Sequence, residues 1–165
     1  MSPVSRPVVA GVLIGVGVAG FIDETVFHQL LHWHHFYDGS PAAGLVSDGL
    51  FHAFSWIATV AGLFLYADLR RRDAADPRLL WGAGLAGCGG FQLYDGLVQH
   101  KLLGLHQIRY RVDLVPYDVA WNLAGALLLV AGVLLLRSAG RRRGATNAAD
   151  ATDAADAAAT QADRR

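Results

Sequence analysis

Apolar positions along the chain fall into four long blocks, roughly Pro7 to Leu31, Leu45 to Ala67, Leu79 to Leu103 and Val115 to Arg137, separated by short polar segments. Each block is long enough for a membrane-crossing helix, which takes about 20 predominantly apolar residues. The uncharged part of the first block, Pro7 to Ile22, covers only about 24 Å at 1.5 Å per residue, against a hydrocarbon core of roughly 30 Å. The first helix must therefore carry Asp23, and His28 with it, inside or at the edge of the membrane. The pattern predicts an all-α fold: an integral membrane four-helix bundle over residues 1–137. A basic and then Ala/Asp-rich tail, residues 138–165, has no large apolar residue and is expected to be disordered.

Composition agrees with the membrane class, since 53% of residues are hydrophobic and 17% charged. The formal net charge is zero and no basic surface points to nucleic acid. The single Cys88 excludes an intramolecular disulfide and any multi-cysteine metal site. Arginines set the expected orientation: Arg70, Arg71, Arg72 and Arg78 follow the second helix, and Arg137, Arg141, Arg142 and Arg143 follow the fourth. By the positive-inside rule these segments and both termini face the cytoplasm. Lys101, Arg109 and Arg111 on the other side weaken this bias without reversing it. The expectation is a multi-pass cell-membrane protein in a lipid bilayer, with a homo-oligomer or other membrane proteins as candidate partners. A signal peptide, with Arg6 as its basic start and "GVA" before Gly20, is the competing reading of the first block.

An internal repeat argues against that reading. "DETVFHQLLHWH" from Asp23 and "DGLVQHKLLGLH" from Asp95 share the pattern D-x4-H-x-L-L-x-x-H. Asp23 thus matches Asp95, His28 matches His100 and His34 matches His106, and the same offset sets Gly15 on Gly87 and Gly17 on Gly89. "DGLFH" at Asp48 matches "DVAWN" at Asp118 with a two-residue shift. The chain reads as two tandem two-helix hairpins, a parallel repeat with its axis along the membrane normal. Gly11, Gly15 and Ala19, and Gly82, Ala86 and Gly90, recur every four residues and predict close packing of the first helix on the third. Asp23 continues the first stripe and is expected to face protein.

Under this topology Asp23, Asp48, Asp95 and Asp118 come to similar depth in the outer leaflet, with His28, His52 and His100 within a turn or so. Charged groups within a membrane cost roughly 2.5–3.5 kcal/mol at the bilayer centre, so such a cluster is a functional hypothesis. His28, His52 and His100 are the first candidates as metal ligands, with Asp23, Asp48 and Asp95 as ligands or orienting partners. His34 and His106 form a second tier, and Asp118 is a further candidate. Imidazole with carboxylate suits zinc, iron, manganese or copper(II), whereas copper(I) favours sulfur, and Met1 is the only methionine. Other readings stay open: a polar core that locks the bundle, a proton-relay or ion-transport subunit without fixed metal, a metal-dependent hydrolase, or haem held between histidines. His32 and His35 suit an interfacial belt with Trp33, Phe36 and Tyr37. They lack histidine counterparts in the second repeat and are the first to give up. No H-E-x-x-H, G-x-S-x-G or phosphate-loop pattern points to a known enzyme chemistry.

At "GFIDETVFHQLLHWHH", "SDGLFHAFSW" and "GGFQLYDGLVQHKLLGLHQIR" the chain resembles the prokaryotic integral membrane proteins grouped as domain of unknown function 2243, over about Val8 to Arg137. The resemblance implies four membrane helices and recurring residues matched by Asp23, His28, His34, His35, Asp48, His52, His100 and His106. In the third motif family members look like H-H-x-L-G-x-H-H, where this chain has Lys101 and Gln107. The resemblance also implies a link to copper or respiratory metal handling.

Overall fold

The computed structural model describes residues 5–163, among which there are four helices and no strand. Helix α1, Ser5–Asp23, continues through a π-helical segment, Glu24–Leu30; α2 spans Pro41–Arg71. Helix α3, Pro77–Leu93, continues through a second π-helical segment, Tyr94–Leu102, and α4 spans Val115–Asp163. Two helix starts are set by sequence. Ser40 caps α2 by accepting from the Ala43 N–H, and Asp76 caps α3 by accepting from the Arg78 and Leu79 N–H groups, each followed by a proline at the first helical position. The tail, expected to be disordered, instead continues α4 to Asp163. Alanine is the strongest helix former, and the side chains from Gly144 to Ala154 are exposed, so local propensity rather than packing carries this extension.

Helices α1 and α3 lie side by side at the centre; α2 packs on α1, α4 packs on α3, and α2 and α4 do not meet. The bundle is thus an open row rather than a closed ring. Small residues permit the central contact, because Gly11 lies against the Leu80 carbonyl, Gly15 against that of Gly84, and Gly87 against that of Val12. A Cβ at any of these would overlap main chain. The other stripe corrects the expectation: Gly82 and Ala86 face α4, where they meet Gly132, and Gly90 meets nothing. Helix α3 has two neighbours, so its small residues divide between two faces, with Ala83 and Gly84 turned to α1. Gly17 and Gly89 make the flank contacts, to Ser55 and Thr59 of α2 and to Gly125 and Leu129 of α4.

Large apolar side chains point outwards, among them Leu50, Phe54, Ile57 and Phe64 of α2 and Leu123, Leu127, Val130 and Leu134 of α4. Such an exterior with a glycine-rich interior is the packing of helices in lipid, where close van der Waals approach replaces the hydrophobic drive. Three helical stretches among the described residues are long and apolar enough to cross a membrane: Arg6–Leu30, Pro41–Arg71 and Val115–Ala154. The expected third span is not among them. Its glycines and its polar end, from Gln92 to Lys101, lower the hydropathy of a helix that meets neighbours on two sides. At the arginine-rich end each hairpin is clasped, Arg6 to Asp68 at 2.8 Å and Arg143 to Asp76 at 2.9 Å.

Candidate metal centre

At the opposite end, both central helices widen over the repeated D-x4-H. In an α-helix residues five apart lie about 140° apart around the axis. The π-helical turn closes its hydrogen bonds at i→i+5 instead, as in Leu31 N–H to the Val26 carbonyl and Leu103 N–H to that of Val98, at 2.9 and 2.8 Å. This brings Asp23 under His28 and Asp95 under His100. The chain then reverses through left-handed residues at matching places, His32 with φ 51° and Gly104 with φ 59°. The glycine takes that backbone freely, while histidine is one of the few other residues found there. After the reversal His34 and His106 fold back over the helix ends.

Six side chains meet there, three from each half, and all are buried: Asp23, His28 and His34 with Asp95, His100 and His106. The His34 and His106 rings stack at 4.6 Å with a 10° tilt. His100 Nε2 stands 3.0 Å from His106 Nε2 and 3.1 Å from an Asp95 oxygen, whose partner oxygen is 3.7 Å from His106 Nε2. His28 Nε2 lies 3.8 Å from Asp23. Candidate ligand atoms of Asp23, His28 and His34 lie within 4.8 Å of one another, as do those of His34, His100 and His106, so His34 joins the two sets. Zinc–nitrogen bonds of about 2.0–2.1 Å place neighbouring ligand atoms roughly 3–4 Å apart, which these spacings approach.

The hydrogen bonds fix which nitrogen faces inward. His34 Nδ1–H donates to the Ile108 carbonyl and His106 Nδ1–H to the Phe36 carbonyl, both at 2.9 Å. Each histidine is thus oriented by main chain of the other half, and each presents an unprotonated Nε2 to the cluster. His28 Nδ1 lies 2.8 Å from Glu24 and 3.1 Å from Asp48, so its proton sits there and Nε2 faces inward too. Such outer partners set the tautomer of metal-binding histidines. Burial pushes the His106 imidazole down to about 4 and His34 down to about 2, so both stay neutral near pH 7.

The result is rich in acceptors and poor in donors. Asp23 Oδ1, His28 Nε2, Asp95 Oδ2 and His100 Nδ1 are buried without a hydrogen-bond partner. Among the described residues no Lys or Arg pairs with Asp23, Glu24, Asp48 or Asp95. Each unmet buried polar atom costs roughly 1–3 kcal/mol, and more when charged. A cation would satisfy several at once, so the residues present fit a transition metal.

Three of the nine candidate ligands stand outside the six. His52 is half-buried and packs its ring on Phe21 at 5.4 Å. Asp118 is bound by Lys101 at 2.6 Å. Asp48 is buried but lies outside the six, accepting from the Phe36 N–H at 2.8 Å and standing 2.7 Å from His35 Nδ1. Glu24 is the residue that the sequence reading passed over, although its i,i+4 spacing to His28 was a signal. His35, set aside for want of a histidine counterpart, is held on Asp48 instead.

A family model described as "Predicted membrane protein (DUF2243)" matches residues 10–139. No curated protein and no solved structure matches the chain.

Proposed function

The chain belongs to the DUF2243 family of predicted membrane proteins, and we propose that it binds a transition metal between two tandem hairpins. The ligands are drawn from Asp23, His28, His34, Asp95, His100 and His106. The observation that carries this reading is the convergence of inward imidazole nitrogens on two carboxylates, buried, with four acceptor atoms unmatched. Paired π-helical turns, paired reversals at His32 and Gly104, and the exchanged bonds of His34 and His106 support the repeat. In this reading the chain crosses the cell membrane several times, with the cluster facing outward and both termini in the cytoplasm. Four imidazoles and two carboxylates suit zinc, iron, manganese or copper(II). A bound metal would supply Lewis acidity or, for a redox-active ion, electron transfer, in line with a role in respiratory metal handling. Haem suits the cluster poorly, because nitrogens 3.0 Å apart leave no space for a porphyrin between them.

Elemental analysis of the protein purified in detergent, with His100→Ala and His52→Ala beside it, tests the proposal. Stoichiometric metal is expected in the wild type and in His52→Ala, and loss in His100→Ala. A metal-free wild type that takes up no added zinc, manganese, iron or copper(II) would overturn it in favour of a relay or transport subunit.

A further inference from the structure

His28 turns its second nitrogen away from the buried centre, towards a different group. Candidate ligand atoms of Glu24, His28 and Asp48 lie within 4.8 Å of one another, and all three residues are buried. Glu24 Oε2 is 2.8 Å from His28 Nδ1 yet has no hydrogen bond of good geometry, while Glu24 Oε1 accepts from Gln29 Nε2 at 2.7 Å. Two carboxylates are thus buried side by side with imidazoles for company. The group also has a way out: His35, 2.7 Å from Asp48, has a side chain that is 41% exposed.

The other half of the molecule shows what such a place holds. The counterparts of Gln29, His35 and Asp48 are Lys101, Gln107 and Asp118. There the Lys101 ammonium sits 2.6 Å from Asp118 and 3.0 Å from Gln107 Oε1, and the counterpart of Glu24 is Gly96. One half carries its own cation and a single carboxylate; the other has two carboxylates and, among the described residues, no Lys or Arg paired with them. Buried carboxylates of that kind are held by a counter-charge or by a metal.

We infer that the first half contains a second, outer cation site formed by Glu24, Asp48 and the Nδ1 edge of His28, with His35 at its exposed edge. Its ligand is a divalent ion that accepts both oxygen and imidazole nitrogen, of the zinc or manganese kind. A neutral imidazole binds one ion at a time, so His28 serves either the outer site or the buried centre. The buried centre keeps five other groups when His28 serves the outer one. The outer site therefore stands without the proposed function and does not rest on it.

Titration of the metal-stripped, full-length protein in detergent with Zn2+ alone, followed calorimetrically, tests the inference. Two classes of site are expected in the wild type. Gln29→Lys, at an exposed position, places an ammonium beside Glu24 and is expected to abolish the outer class while leaving the other. Glu24→Gln is expected to weaken the same class at least tenfold. A His34→Ala, His106→Ala double variant is expected to lose only the buried class. If that double variant loses all binding while Gln29→Lys and Glu24→Gln lose none, the outer site falls and the buried centre stands. If binding survives in the double variant and disappears in Gln29→Lys, the buried centre falls and the outer site stands. Helical circular dichroism on each variant confirms that the fold is retained, and a variant that fails it is replaced by Asp48→Asn, which should weaken the outer class like Glu24→Gln.

Discussion

The two hairpins supply matching triads to one buried cluster, yet they differ one layer out. Around Asp23, His28 and His34 the surroundings are Glu24, Asp48 and His35; around Asp95, His100 and His106 they are Gly96, Asp118 and Gln107, with Lys101 across Asp118. Where the halves agree, every group is buried, and His34 stacks on its counterpart His106. Where they differ, one side is anionic and the other balanced by an ammonium. A shared centre constrains both hairpins equally, because each contributes three of its six groups. Layers that touch only their own half are free to diverge.

The largest effect should come from the seam that both halves share. Gly15→Leu would drive a side chain into the Gly84 carbonyl, and loss of monodisperse protein in size-exclusion chromatography is the expected outcome. His34→Ala and His106→Ala come next and should act alike, each lowering the affinity of the buried class at least a hundredfold by equilibrium dialysis. A variant of either that kept full affinity would show that the two halves do not share one ion. Asp48→Asn should cost about 10–100-fold in the affinity of the outer class alone, whereas Asp118→Asn should leave metal content unchanged and shift stability by up to about 1 kcal/mol, being a partly exposed pair. The smallest effect is acid sensitivity of the metal-stripped protein. His34 and His106 are held neutral by burial, below the ordinary 6.5, so the unfolded chain takes up protons that the folded one refuses. Stability should be flat above about pH 6.5 and fall as the pH drops towards 4, read as a lower Tm at pH 5 than at pH 7.5. Equal Tm values would show that these histidines are not held neutral.

The helices and the paired residues of D-x4-H were legible from hydropathy and from self-similarity, since both are patterns along the chain. What the chain does not display is the winding of the helix. An α-helical reading makes i,i+4 pairs the natural partners, and Asp48 and His52 have that spacing. Four residues turn an α-helix about 40° past one full turn. On α2 that is enough to move His52 from the side that carries Asp48 to the Phe21 side. The π-helical segments had the opposite consequence, giving five-residue spacing the proximity that four-residue spacing normally has. His35 lies in a connection, where periodicity carries no information, and its contact with Asp48 is set by the path of the loop. The open row of helices was equally hidden, because glycine stripes announce close approach without naming the neighbour.

The bonds that aim His34 and His106 end on carbonyl oxygens of Ile108 and Phe36. Every amino acid carries that oxygen, so no point substitution at either position deletes the acceptor. The aim of both imidazoles is therefore insensitive to mutational drift in residue identity and sensitive to drift in loop length. One residue inserted or removed between His34 and Phe36, or between His106 and Ile108, would disable the histidine of the opposite hairpin while leaving its own sequence untouched.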